Sequence, residues 1–268
     1  MNIRYVGFLI AAFAVFVFLF SQDFFAHVAW QKYGKPDVAL WLVRNDAAFA
    51  ILLGNYYFGA TIGRSEYNPE KAKQAFEKAV KANPKVLWGH YELARIYFLE
   101  NKFDRALEEI NKELEANPEN LRALYIRGLI YGYRNQQGDL ERAEENFRRF
   151  TIWAPKEWGG YNDHAWVLSR LGRYVDAKDV IGLAFKNALD VQGNPWLWNG
   201  LGLAELNLEE YKSAQNSFEK ALKFAEKLTL SDWIKAYPGN NPNNAESGLL
   251  AFRAAITENV QRSSRGDK

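Results

Sequence analysis

As a helix, Leu87 to Phe98 would carry two separate apolar faces. His90, Leu93, Ala94 and Tyr97 fall on one; Trp88, Tyr91, Arg95 and Phe98, spaced i, i+3, i+7 and i+10, fall on the other. A single face is enough to pack a helix against its neighbours, so the second is left over. Rings interleaved with a guanidinium can hold side chains and hydrogen-bond a backbone, which is the chemistry of peptide recognition. On spacing alone the alternative stays open that these rings only pack between neighbouring elements.

Groups suited to bond-breaking are scarce. His27, His90 and His164 are isolated in sequence, and Asp163-His164 is the only acid–histidine neighbour pair. Adjacent residues on a helix point about 100° apart, so that pair is not aligned for general-base work. Glu108-Glu109 and Glu144-Glu145 read as solvated helix faces with Lys or Arg in register. The absence of cysteine excludes a disulfide scaffold, a zinc ribbon and a thiol nucleophile. Neither a phosphate-binding glycine loop nor a Gly-x-Ser-x-Gly elbow occurs. The chain is expected not to be an enzyme, with no cofactor and no metal. A formal charge of +2 over 268 residues supplies no basic face for nucleic acid.

The elements that would position the second face recur along the chain. Ala72, Ala106, Ala143, Ala177 and Ala214 are 34, 37, 34 and 37 residues apart. Four residues after each stands a large apolar group: Phe76, Ile110, Phe147, Ile181 and Phe218. A small residue precedes each within an earlier helix: Gly54, Ala94, Gly128, Ala165 and Gly202. Pro84, Pro118 and Pro155 close the first three copies, because proline cannot donate the helical hydrogen bond. The small residues let paired helices approach, and the large group fills the gap beside that contact. No pair buries its apolar faces alone, so the pairs must stack.

This frame resembles the tetratricopeptide repeat, with its Trp-x2-Leu-Gly-x2-Tyr, Ala-x3-Phe and Pro pattern. The fifth copy matches it with Trp198, Leu201, Gly202, Ala214, Phe218 and Ala221. The resemblance implies an all-α, right-handed superhelical solenoid of about five antiparallel helix pairs. It also implies that the second face of each first helix lines a concave groove. The candidate peptide-binding residues are then Asn55 and Phe58; Trp88, Tyr91, Arg95 and Phe98; Arg122 and Tyr125; Asn162 and Trp166; and Trp196 and Asn199, with Ile51, Leu129 and Leu203 beside them. One subclass of the family holds acidic chain ends in a clamp of Lys, Asn and Arg. Here Asn55 and Arg122 stand in comparable slots, but Ile51, Glu92 and Ile126 do not fit, so that clamp is rejected. Copy one has six extra residues near Ile62 and copy three has three near Asn135; Glu113 stands where copies one, four and five have Ala79, Ala184 and Ala221.

Ahead of the repeats, Tyr5 to Phe20 is sixteen residues without a charge. As a helix it reaches about 24 Å, close to the hydrocarbon thickness of a bilayer once its flanks are added. Residues 1–22 are therefore expected to be an uncleaved transmembrane anchor, contacting lipid through residues 3–21; a cleaved signal peptide is the alternative. Arg4 before the span favours a single-pass protein with its main domain extracytoplasmic, in a bacterial-type envelope. The remaining expected divisions are a linker and capping helix at 23–46, the solenoid at 47–228, and a C-terminal capping helix and tail at 229–268. The expected function is a membrane-anchored scaffold that binds a protein or peptide segment in its groove, suited to assembling an envelope complex. Its rivals are a self-associating structural module and an accessory domain of an envelope glycan-processing enzyme. Oligomeric state is open.

Overall fold

The computed structural model describes residues 13, 17, 21–59, 66–237 and 240–266. Among them every regular element is helical. The chain divides into two compact units, residues 1–96 and 97–268.

The first unit contains α1 (Gln22–Gln31), α2 (Pro36–Leu42), α3 (Ala47–Tyr57), α4 (Pro69–Ala82) and the start of α5 (Gly89–Leu99). Its short helices are held by side chains reaching their ends. Asp46 caps α3 by accepting from the Phe49 amide at 2.9 Å, and the same carboxylate takes His27 Nε2 at 2.9 Å. Lys78 of α4 donates to the carbonyls of Leu40, Trp41 and Val43 at the end of α2, satisfying acceptors the helix itself leaves open. The Phe76 ring lies directly against Gly54, with no room for a side chain there. This is the small–large contact that the repeat spacing predicts.

The second unit runs on from Tyr97 through α6 (Phe103–Ala116), α7 (Leu121–Arg134), α8 (Asp139–Trp153), α9 (Trp158–Arg170), α10 (Tyr174–Asn187), α11 (Pro195–Asn207), α12 (Tyr211–Ala225), α13 (Leu230–Ala236) and α14 (Ala245–Gly266). Within it α7 pairs with α8, α9 with α10 and α11 with α12, each pair leaning on the next. The small–large contact recurs twice: a Cβ at Gly128 would lie 2.9 Å from the Phe147 ring, and one at Gly202 would lie 2.6 Å from the Phe218 ring. The extra residues of copy three form the turn between α7 and α8, with Asn135 at φ 52° and Gly138 at φ 77°. Arg134 braces that turn through a two-pronged pair with buried Asp139, both contacts at 2.9 Å, and holds its carboxyl below the usual range.

Glu113, standing in an alanine slot, is fully buried. It accepts from the side-chain amides of Asn117 at 3.1 Å and Asn120 at 2.8 Å, and Asn120 in turn caps α7. The larger residue thus ties the end of α6 to the start of α7. α14 lies on α12 and buries Leu249 and Ile256, the latter against Ala221 and Ala225. Arg253 donates to the carbonyls of Ala225, Glu226 and Leu228 at the end of α12. Leu250, the neighbour of Leu249 on the same helix, is exposed.

The expectation of a single-pass membrane protein is corrected. No helix among the described residues is long and apolar enough to cross a bilayer. The longest, α14, has 22 residues but carries two Glu and three Arg, which hydrocarbon does not accept. The run Tyr5 to Phe20 on which the expectation rested lies, apart from residues 13 and 17, outside the described residues. The extracytoplasmic placement rested on the same run and falls with it, and the anchoring of the scaffold is left without support.

Candidate functional site

In the first unit the predicted residues Phe58, Tyr91 and Arg95 come together. The Arg95 guanidinium lies over Phe58 at 5.0 Å and over Tyr91 at 5.7 Å, and it is paired with Glu92 at 2.7 Å. Trp88 meets the Tyr91 ring edge-on at 5.2 Å, and Tyr67 stacks on Phe58 at 6.5 Å. Phe58 and Tyr91 are only 3% and 8% exposed, so these two rings are chiefly floor. Trp88 and Asn55 are half-buried. Trp88 lies one residue ahead of α5 at φ 74°, a conformation that non-glycine residues adopt only under local constraint.

The second unit holds the other predicted residues, Phe98 near the end of α5 and the rest on α7, α9 and α11. Phe98 meets Tyr133 edge-on at 5.3 Å, and Tyr133 lies against Trp166 at 5.1 Å. Trp166 fills the space above Gly132, where a Cβ would come within 2.6 Å of its ring. Trp196 stacks on Trp158 at 5.2 Å and on Phe252 at 5.5 Å, and its indole N–H donates to the Tyr237 hydroxyl at 2.9 Å. Asn199 accepts from Asn259 of α14 at 3.3 Å. Arg122 is exposed at the start of α7.

At the centre is Asp163, which the sequence reading weighed only as a neighbour of His164. Tyr125, 38 residues earlier on α7, donates its hydroxyl to Asp163 Oδ2, and Asn162 donates to Oδ1 at 3.0 Å. Burial outweighs these two donors and pushes the carboxyl up to about 6. Its charge reaches Tyr133 and Tyr237, whose hydroxyls are raised first by burial and then by Asp163. No ion pair to Asp163 is formed among the described residues. His164 points elsewhere, to Glu144 at 3.3 Å, and its burial lowers its basicity. His90 meets the Pro84 carbonyl at 3.2 Å. Among the described residues no group of three or more His, Asp or Glu could hold a metal ion.

Asp163, Tyr133, Trp158, Trp233, Tyr237 and Phe252 were not among the site residues expected from sequence. Tyr133 and Trp158 lie one or two turns from predicted residues on the same helices, a signal that helical spacing could have supplied. Trp233, Tyr237 and Phe252 follow the last copy, where the repeat frame gives no slot.

Residues 64–130 and 197–228 match tetratricopeptide repeat families. The chain carries tetratricopeptide repeats. It is 24% identical over 175 residues to human tetratricopeptide repeat protein 13, covering 63% of this chain but 20% of that protein. It therefore spans about a fifth of that relative's length. Among solved structures it is similar to TTC0263, a thermophilic TPR protein of Thermus thermophilus, at 19% identity and a TM-score of 0.56, covering 80% of this chain and 99% of that one. It is also similar to YrrB, described as a TPR protein with an unusual peptide-binding site, at 16% identity and a TM-score of 0.54, covering 68% of this chain and 88% of that one. At these identities the likeness is one of fold. Proteins of this fold are protein-interaction scaffolds, and their repeats are generally non-enzymatic.

Proposed function

We propose that this chain is a protein-interaction scaffold, and that the ring-lined face of α7, α9 and α11 holds an extended segment of a partner protein. The observation that carries the reading is the alternation on that face. Tyr133, Trp166 and Trp196 offer flat apolar surface, while Asn162, Asp163 and Asn199 offer hydrogen-bonding groups between them. An extended peptide needs both: surfaces for alternate side chains and partners for its amides. Part of each ring is already used in packing, so the face is preformed and little ordering is needed on binding. The peptide-binding site named for YrrB shows that this fold can serve such a purpose.

The test is to pan a displayed peptide library on the full chain and titrate the enriched sequences by tryptophan fluorescence. The expected result is binding that weakens about tenfold or more in the Asn162→Ala, Asn199→Ala double variant, since each lost hydrogen bond to a partly buried amide costs about 1 kcal/mol or more. Unchanged melting would show that the loss is local. Peptides that bind the double variant as well as wild type would remove the face from the site. A stable dimer that buries it would favour self-association instead.

A further inference from the structure

Resting on the peptide-binding reading above, we propose that the partner segment presents a lysine or arginine side chain to Asp163, between the rings of Tyr133, Trp166 and Tyr237. Asp163 Oδ1 and Oδ2 each accept one hydrogen bond, from Asn162 and Tyr125. A carboxylate has about four acceptor sites, so capacity remains on both oxygens. Both present donors are neutral, and Asp163 as a whole residue is half-buried, so its carboxyl lies close beneath the surface. A charge so placed is under-compensated and gains most from a cation that arrives with its partner.

The surrounding rings suit the same occupant. Tyr133 is 56% exposed and rests on Trp166, one turn along α9 from Asp163. Tyr237 is held by the Trp196 N–H. Aromatic faces beside a carboxylate attract ammonium and guanidinium groups and leave anions and neutral chains unrewarded. The titratable groups linked to Asp163 are Tyr125 and Tyr133 of α7 and Tyr237 beyond α13, and Arg170, further along α9, acts on Tyr133; α11 approaches with the uncharged Trp196, which holds Tyr237. Arg170 is engaged elsewhere: it donates to the Gly132 carbonyl at 2.6 Å and lies over the Trp166 ring at 5.3 Å. These contacts engage its guanidinium, and it forms no ion pair with Asp163.

The test uses end-capped decapeptide pools whose central position is lysine, arginine, norleucine or glutamate and whose other positions are randomised over uncharged residues. They are titrated against the full chain at pH 8. The lysine or arginine pool is expected to bind at least tenfold tighter than the norleucine pool, and Asp163→Asn to abolish that preference. With wild-type protein the basic-pool affinity should fall roughly tenfold by pH 5, as the carboxyl that titrates near 6 takes up its proton, while the norleucine pool stays level. This series needs no variant, so a misfolded Asp163→Asn would leave the proposal testable. Pools that bind with no basic preference overturn the inference and leave the peptide-binding reading standing. Failure of every pool to bind overturns that reading, and the inference with it.

Discussion

Asp163 shows how one side chain can be set against the stability of its own fold. Its carboxyl is raised by burial from the ordinary aspartate value to about 6. The folded state therefore binds this proton more tightly than the unfolded state does. The stability that follows is fully present below the unfolded value, near pH 4, and is lost as pH rises through 6. At pH 8 the ionised group is a net cost. Asp163→Asn keeps an acceptor for the Tyr125 hydroxyl and removes the charge. It should stabilise the chain by about 1–2 kcal/mol at pH 8, with the gain vanishing below about pH 4. Urea midpoints of both proteins at the two pH values check this, and a variant less stable at pH 8 would contradict it. No local signal marks Asp163 in the sequence: its partner stands 38 residues away, and its neighbour His164 draws attention to a pairing that does not form.

At the scale of the element, the helix pair depends on a glycine facing a ring. In the pair of α11 and α12, Phe218 is fully buried and its ring would lie 2.6 Å from a Cβ on Gly202. Alanine is the better helix former by about 1 kcal/mol, but here the methyl group meets a ring with nowhere to go. Gly202→Ala should therefore destabilise by roughly 1–2 kcal/mol despite its propensity. Adding Phe218→Leu should make the glycine substitution nearly harmless, a coupling of about 1 kcal/mol or more in a double-mutant cycle. Additive effects would mean that the two residues do not share the gap. This contact was legible in sequence because both partners hold fixed places in the repeat. The seven-residue α13 was less legible. Its Thr229–Asp232 capping box is local, but its rings pack against α11 and α14 in a region without repeat register.

For the molecule as a whole, stability in stacked pairs comes from each pair and its immediate neighbours. The last pair, α11 and α12, is covered by α14, and Arg253 satisfies three carbonyls at the α12 terminus. Arg253→Ala should free those carbonyls and loosen α14. Hydrogen exchange should then quicken across α14 and the end of α12, while α3 and α4 of the first unit keep their protection. Equal loss of protection throughout the chain would instead show one cooperative block.

The repeat frame, the helical class and the glycine–ring contacts were set by the sequence alone. They depend on a 3.6-residue period and on small and large residues at fixed separations, both of which are local. The candidate face was only half set. Spacing placed Trp88, Tyr91, Arg95 and Phe98 on one stripe, but it could not say how much of each ring packing would consume. The tertiary structure buries Tyr91 beneath Arg95 and sets Tyr133 against Trp166. It also brings Tyr125 to Asp163 and Tyr237 to Trp196. The last three meetings join residues from different helix pairs and from beyond the repeats. Their geometry follows from how the pairs stack, which no single helix encodes.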